Sequence, residues 1–118
     1  MSVSNAQRAE MAKRTVTEIQ KRIPSQVVLS RGTRKRMHGL RGNVLGFQFV
    51  IYTLPVIGLG DATLEVVIGE AVRGTRFTVT EHTQDSVVKE VLAFLADQYD
   101  EHVKHVEDMR DVLAQLKE

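Results

Sequence analysis

Apolar residues recur along this chain with two different periods, and each change of period marks a boundary. Up to Ile23, the residues Ala9, Ala12, Val16, Ile19 and Ile23 follow one another at intervals of three and four. That is the narrow stripe of an amphipathic helix, predicted over 4–23. Ser4 is suited to cap its start. Pro24 stops it, because the residue before a proline is driven out of the α region. Lys13, Arg14, Lys21 and Arg22 fall on the polar side.

Between Gln26 and His82 the period becomes two. Four strands are predicted: 26–32 with Val27 and Leu29 on one side, 44–54, 62–72 and 74–82. In the second, Leu45, Phe47, Phe49 and Ile51 share a face; in the third, Ala62, Leu64, Val66 and Ile68 oppose Thr63 and Glu65. In the fourth, Thr75, Phe77 and Val79 point inward and Arg76, Thr78 and Thr80 outward, as a sheet with one wet face requires. Arg73-Gly74 reads as a hairpin turn with glycine supplying the positive φ. Pro55 and Gly58-Leu59-Gly60 mark a break between the second and third strands.

From about Ser86 to Leu116 the helical period returns, with Thr83 or Asp85 as cap. At 1.5 Å per residue this helix is roughly 45 Å long, against roughly 30 Å for a nine-residue strand. It is therefore expected to overhang the sheet. Leu92, Tyr99, Val106 and Leu113 hold one heptad position; Leu95, His102, Met109 and Leu116 hold the other. These eight are the expected oligomerisation residues, since an exposed stripe of this length is unfavourable. The alternative is that the first helix covers them within one chain.

The expected architecture is thus α+β, one domain over 1–118. A helix lies in 1–24, an antiparallel sheet in 26–82 and a long helix in 84–117, with both helices on the apolar face of the sheet. A length of 118 residues supports one modest core, and 42% hydrophobic with 26% charged residues is ordinary for a folded chain. The uncharged run 42–60 has the length of a membrane span. Four glycines, Pro55 and the strand-like alternation argue against a span. The chain has no cysteine, which excludes disulfides and thiolate chemistry. That composition, with a polar start, suits a cytoplasmic protein without a membrane partner.

Charge changes the picture most. Residues 1–60 carry ten Lys/Arg against Glu10 and Glu18, a net of +8; residues 61–118 carry six against thirteen acids, a net of −7. Between Glu18 and Asp61 there is no acid. The segment Arg31-Gly-Thr-Arg-Lys-Arg-Met-His-Gly-Leu-Arg-Gly42 joins the first two predicted strands. Glycine admits a phosphate close to the backbone, and arginine offers paired donors to its oxygens. Arg31, Arg34, Lys35, Arg36, His38 and Arg41, with Lys21 and Arg22 from the first helix, are the candidate anion-binding residues. Should the strands run into this segment, Arg34, Arg36 and His38 would share one face of a ribbon fit for a nucleic-acid groove. The competing reading is a solvated loop, or one paired with the acidic final helix.

His102 and His105 lie one turn apart, but a metal site needs further ligands, so no metal is expected. His102 on the seam reads more simply as a polar, pH-sensitive interface residue. No nucleophile motif, phosphate-binding loop or dinucleotide glycine pattern occurs, so neither catalysis nor a cofactor is expected. The leading expectation is a small, non-enzymatic, oligomeric protein that binds DNA or RNA through phosphates. A protein-interaction module (adaptor, assembly factor or inhibitor) and a binder of a small phosphorylated molecule stand as alternatives.

Overall fold

Ser4 begins the first helix by a reciprocal pair of bonds. Its hydroxyl accepts from the Gln7 N–H at 3.2 Å, while the Gln7 side-chain oxygen accepts from the Ser4 N–H at 2.9 Å. At the far end Ile23 turns to extended backbone (ψ 131°) ahead of Pro24, as its position dictates. The computed structural model describes residues 4–34, 37–56 and 61–117, with residues 31–34 and 37–38 described by their backbone alone.

The elements are α1 (Asn5–Arg22), β1 (Val28–Arg34), β2 (Met37–Val44), β3 (Phe47–Thr53), β4 (Ala62–Ile68), β5 (Thr75–Val79) and α2 (Gln84–Leu116). The fold is α+β, with an N-terminal helix, an antiparallel sheet and a long C-terminal helix. Strands pair in chain order, β1-β2-β3-β4-β5. The sheet has five strands where four were expected. The extra one, β2, occupies most of the segment that reads as a connection. The expected strand 44–54 is instead broken at Leu45 (φ +50°) and Gly46 (φ +85°). Two central residues at positive φ make the tight hairpin turn that matches strand twist. Leu45 therefore does not join Phe47, Phe49 and Ile51 on the buried face; it is 85% exposed.

In β4 the expected inward residues Ala62, Leu64 and Val66 are buried and Ile68 partly so. In β5 Val79 is buried and Phe77 partly so, but Thr75, expected inward, is exposed, and both strands are shorter than predicted. Glu65 and Val67, on the face away from the helices, are buried as well, and so is Tyr52 of β3. The connection from β4 to β5 corrects the expected role of Gly74. Gly69 supplies the positive φ (+63°), whereas Gly74 is not in that region. Gly74 is needed for space: a Cβ there would lie 2.2 Å from the Val66 carbonyl oxygen. The expected break at Gly58–Gly60 lies outside the described residues.

α1 and the first half of α2 cover one face of the sheet. Met11, Ala12, Val16 and Ile19 of α1 join Leu40, Phe47, Phe49, Ile51, Leu64 and Val66 of the sheet and Val87, Val88, Val91 and Leu95 of α2 in one apolar cluster. Thr15, also buried in α1, satisfies its hydroxyl on the Met11 carbonyl at 2.8 Å. Thr83 is the N-cap of α2, but its hydroxyl accepts from the Thr80 N–H at 2.9 Å rather than from the helix.

The eight residues expected to form an oligomer seam divide. Leu95 is buried in the chain's own core, and Leu92 and Tyr99 pack against it. His102 packs at a tilt against the Phe47 ring, with 5.7 Å between centroids. The first helix and the sheet thus cover the upper part of the stripe. Val106, Met109, Leu113 and Leu116 remain exposed, on a length of α2 that stands clear of the sheet. The molecule is correspondingly long, with extents of 69 × 25 × 20 Å. Among the described residues no helix is long and apolar enough to cross a membrane.

Candidate nucleic-acid interface

The basic segment 31–42 is built largely into a two-stranded ladder. Arg31 pairs with Leu40, Gly32 with Gly39, Thr33 with His38 and Arg34 with Met37. On its other side β2 meets β3 only from Gly39, opposite Tyr52, to Val44, opposite Phe47. The last two rungs of the β1–β2 ladder therefore run past the point where β3 pairing ends. What results is a ribbon continuing beyond the sheet edge, with Lys35 and Arg36 between its strands and outside the described residues.

The ladder register corrects one expectation about this ribbon. Arg34 and His38 stand on adjacent rungs, and adjacent rungs alternate in face. Arg34, on the Met37 rung, and His38, on the Thr33 rung, therefore hold register positions of opposite face, while Arg36 lies outside the described residues. Arg41 lies three rungs back from His38 along β2 and is exposed on the face away from the helices. It borders a recess of about 260 Å³ together with Asn43, Gln48 and Glu70.

α1 lies along the inner face, its direction opposite to β1. Its start, at Arg8 and Met11, lies beside Ala62 and Val79, at the ribbon-tip end of the sheet. Its close, at Ile23, lies beside Val27 and Val44 at the other end. Lys21 and Arg22 are thus exposed at the end remote from the tip, and the structure does not bring them together with Arg34. Lys21 is also paired, its ammonium 3.1 Å from the Glu18 carboxylate. Nearer the tip, α1 carries Arg8 at its start and then Lys13, both of which sequence reasoning left out of the candidate set. Lys13 shares the helix side of Thr17 and Gln20. Those two line a groove of about 400 Å³ against Leu29, Ser30 and Leu40 of the ribbon. The spacing Lys13–Thr17–Gln20 carried that information, but only once the ribbon was known to lie opposite.

The acid-rich outer length of α2 is held elsewhere, whereas Asp61 and Glu81 stand at the ribbon-tip end of the sheet, beside Arg8. Phe47, at the end of the sheet opposite the ribbon tip, packs edge-on against Tyr99 of α2 at 5.6 Å. α2 then runs outward from there, carrying Glu101, Glu107, Asp108 and Asp111. Lys21–Glu18 and Arg76–Glu65 form ion pairs. Lys13, Arg14, Arg22 and Arg41 are exposed and belong to neither. Arg76 approaches the buried Glu65 carboxylate at 3.7 Å, while the Gly74 N–H donates to that carboxylate at 3.2 Å.

His102 and His105 border a second recess with Gly46, Gln48 and Glu101. The His102 Nε2 is buried without a hydrogen-bond partner. Among the described residues no group of three or more His, Cys, Asp or Glu side chains is gathered as a metal site would require. No protein-family model, curated protein or solved structure matches this chain.

Proposed function

We propose that this protein binds nucleic acid, through phosphate contacts made by the β1–β2 ribbon, without catalysing a reaction. The observation that carries the reading is the two-rung continuation of the ribbon past β3, in the most cationic part of the chain. A two-stranded ribbon has dimensions that a major groove admits, and its backbone and arginines are suited to phosphates. Arg41 on one side and Lys13 on α1 extend the cationic surface away from the tip. The acid-rich length of α2 leaves the sheet at the opposite end and so does not oppose attraction at the tip.

The test is fluorescence anisotropy with duplex DNA and with RNA over a range of salt concentration, for the natural chain and for Arg34→Ala/Lys35→Ala/Arg36→Ala. Binding through phosphates makes log affinity fall linearly with log salt, and each lost contact flattens that slope by about one. A salt-independent affinity, or an unchanged slope in the triple variant, rejects the reading.

A protein-interaction module is the second reading, favoured by the exposed apolar stripe on the outer half of α2. Co-purification separates the two. Nucleic acid removed by nuclease supports the first, and a protein partner that survives nuclease supports the second. A small phosphorylated ligand would show as thermal stabilisation by nucleotides but not by DNA or RNA.

A further inference from the structure

α2 leaves the body of the protein with its apolar stripe pointing in an unchanged direction. Val88, Leu95 and Tyr99 face the core. At 100° per residue, Val106, Met109, Leu113 and Leu116 continue that side of the helix. Their exposures of 39, 53, 54 and 76% rise toward the tip. Asp97, Asp100, Glu101, Glu107, Asp108 and Asp111 all fall on the other side. Where α2 emerges, an apolar groove of about 300 Å³ opens between Ile23, Val27, Val44, Phe47, Leu95 and Tyr99. Groove and stripe meet at Tyr99 and form one apolar surface.

We propose that a second copy of this chain covers both. The two α2 overhangs lie antiparallel about a two-fold axis, and each tip brings Leu116 to the mouth of the other copy's groove. Direction follows from the position of the body. Sheet and α1 sit on the same side of α2 as the stripe, so a parallel partner would need its own N-terminal half in the space they occupy. Reversing the partner places its body beyond the tip of the first helix, where nothing obstructs it. In an antiparallel seam the two heptad positions face each other. The register that sets Val106 opposite the partner's Met109 also sets Leu113 opposite the partner's His102 and Leu116 opposite the partner's Tyr99. The two-fold repeats each pair, giving the self-complementary patch of an isologous dimer. The acids, lying off the seam, stay in water on both copies, so the seam needs no charge to be buried. The inference stands independently of the nucleic-acid reading.

Light scattering on the full chain tests it, and the expected mass is about twice the 13.3 kDa of one chain. Leu113→Glu/Leu116→Glu is expected to be monomeric with an unchanged far-ultraviolet circular dichroism spectrum, because both side chains are exposed. Direction is read by cross-linking, since the chain has no cysteine of its own. A short bis-maleimide should join Leu116→Cys to Ala96→Cys, which lines the groove, in a mixed sample. It should not join Leu116→Cys to itself. A monomeric natural chain, a double variant that keeps the dimer mass, or self-linking of Leu116→Cys overturns the proposal.

Discussion

The ring of Phe49 occupies the place where a side chain at Gly42 would stand. The two residues are partners across the β2–β3 ladder, and a Cβ on Gly42 would lie 2.2 Å from the Phe49 Cζ. The ring is itself fixed in the core, 6.0 Å from the ring of Phe47. Gly42→Ala must therefore displace a packed aromatic, which costs about 1–3 kcal/mol. Urea unfolding should show that loss, whereas Asn43→Ala, one residue on and exposed, should change stability by less than about 0.5 kcal/mol.

Leu45 gives a prediction of opposite sign. It holds a left-handed φ of +50° at a hairpin turn while burying almost nothing. Asparagine tolerates that conformation where a leucine strains, a difference of about 1 kcal/mol. Leu45→Asn should raise the unfolding midpoint. No increase would mean that Leu45 makes a contact outside the single chain.

Glu65 is a buried carboxylate on the face of the sheet away from both helices. It accepts from the Gly74 N–H and so ties the β4–β5 connection down. Glu65→Ala leaves that donor unpaired and should cost about 1–3 kcal/mol. Glu65→Gln retains an acceptor and should cost less. Arg76→Ala should cost under about 1 kcal/mol, because the arginine is exposed and its approach to Glu65 is long. Equal losses for all three variants, read by chemical denaturation, would place the importance in the ion pair rather than in the backbone tie.

Arg41 tests how far the cationic surface extends from the ribbon tip. If it contacts a phosphate, Arg41→Ala should lower the salt slope of nucleic-acid affinity by about one. Lys89→Ala, an exposed cation on α2, should leave the slope unchanged. Equal effects from both would show that net charge, rather than position, governs binding.

Much of the fold was legible because local chemistry and tertiary packing agree. Ser4 and Pro24 bracket α1 as their chemistry requires. The inward set of β4 survives into the structure, with Glu65 and Val67 buried on the second face in addition, and β5 keeps it at Phe77 and Val79 but not at Thr75. β2 was hidden for a physical reason. Its inward positions read Leu40, Gly42, Val44, and the middle one is silent because Phe49 supplies its apolar volume from the next strand. The turn after it was hidden because a leucine stands where asparagine or glycine is favoured. The cationic segment was legible as composition, but whether its residues share a row depends on the ladder register, which chain order alone does not disclose. Lys21 and Arg22 were grouped with it by charge, although the direction of α1 sets them at the far end.

The uninterrupted strand order has a consequence for how this chain reaches its native state. Every strand lies beside its neighbour in sequence, so each pairing closes only a short loop and the sheet can grow hairpin by hairpin. The costly closure is that of α1 onto α2, which joins the two ends of the chain over the sheet. Substitutions at Val16 or Ile19 should accordingly speed unfolding more than they slow folding.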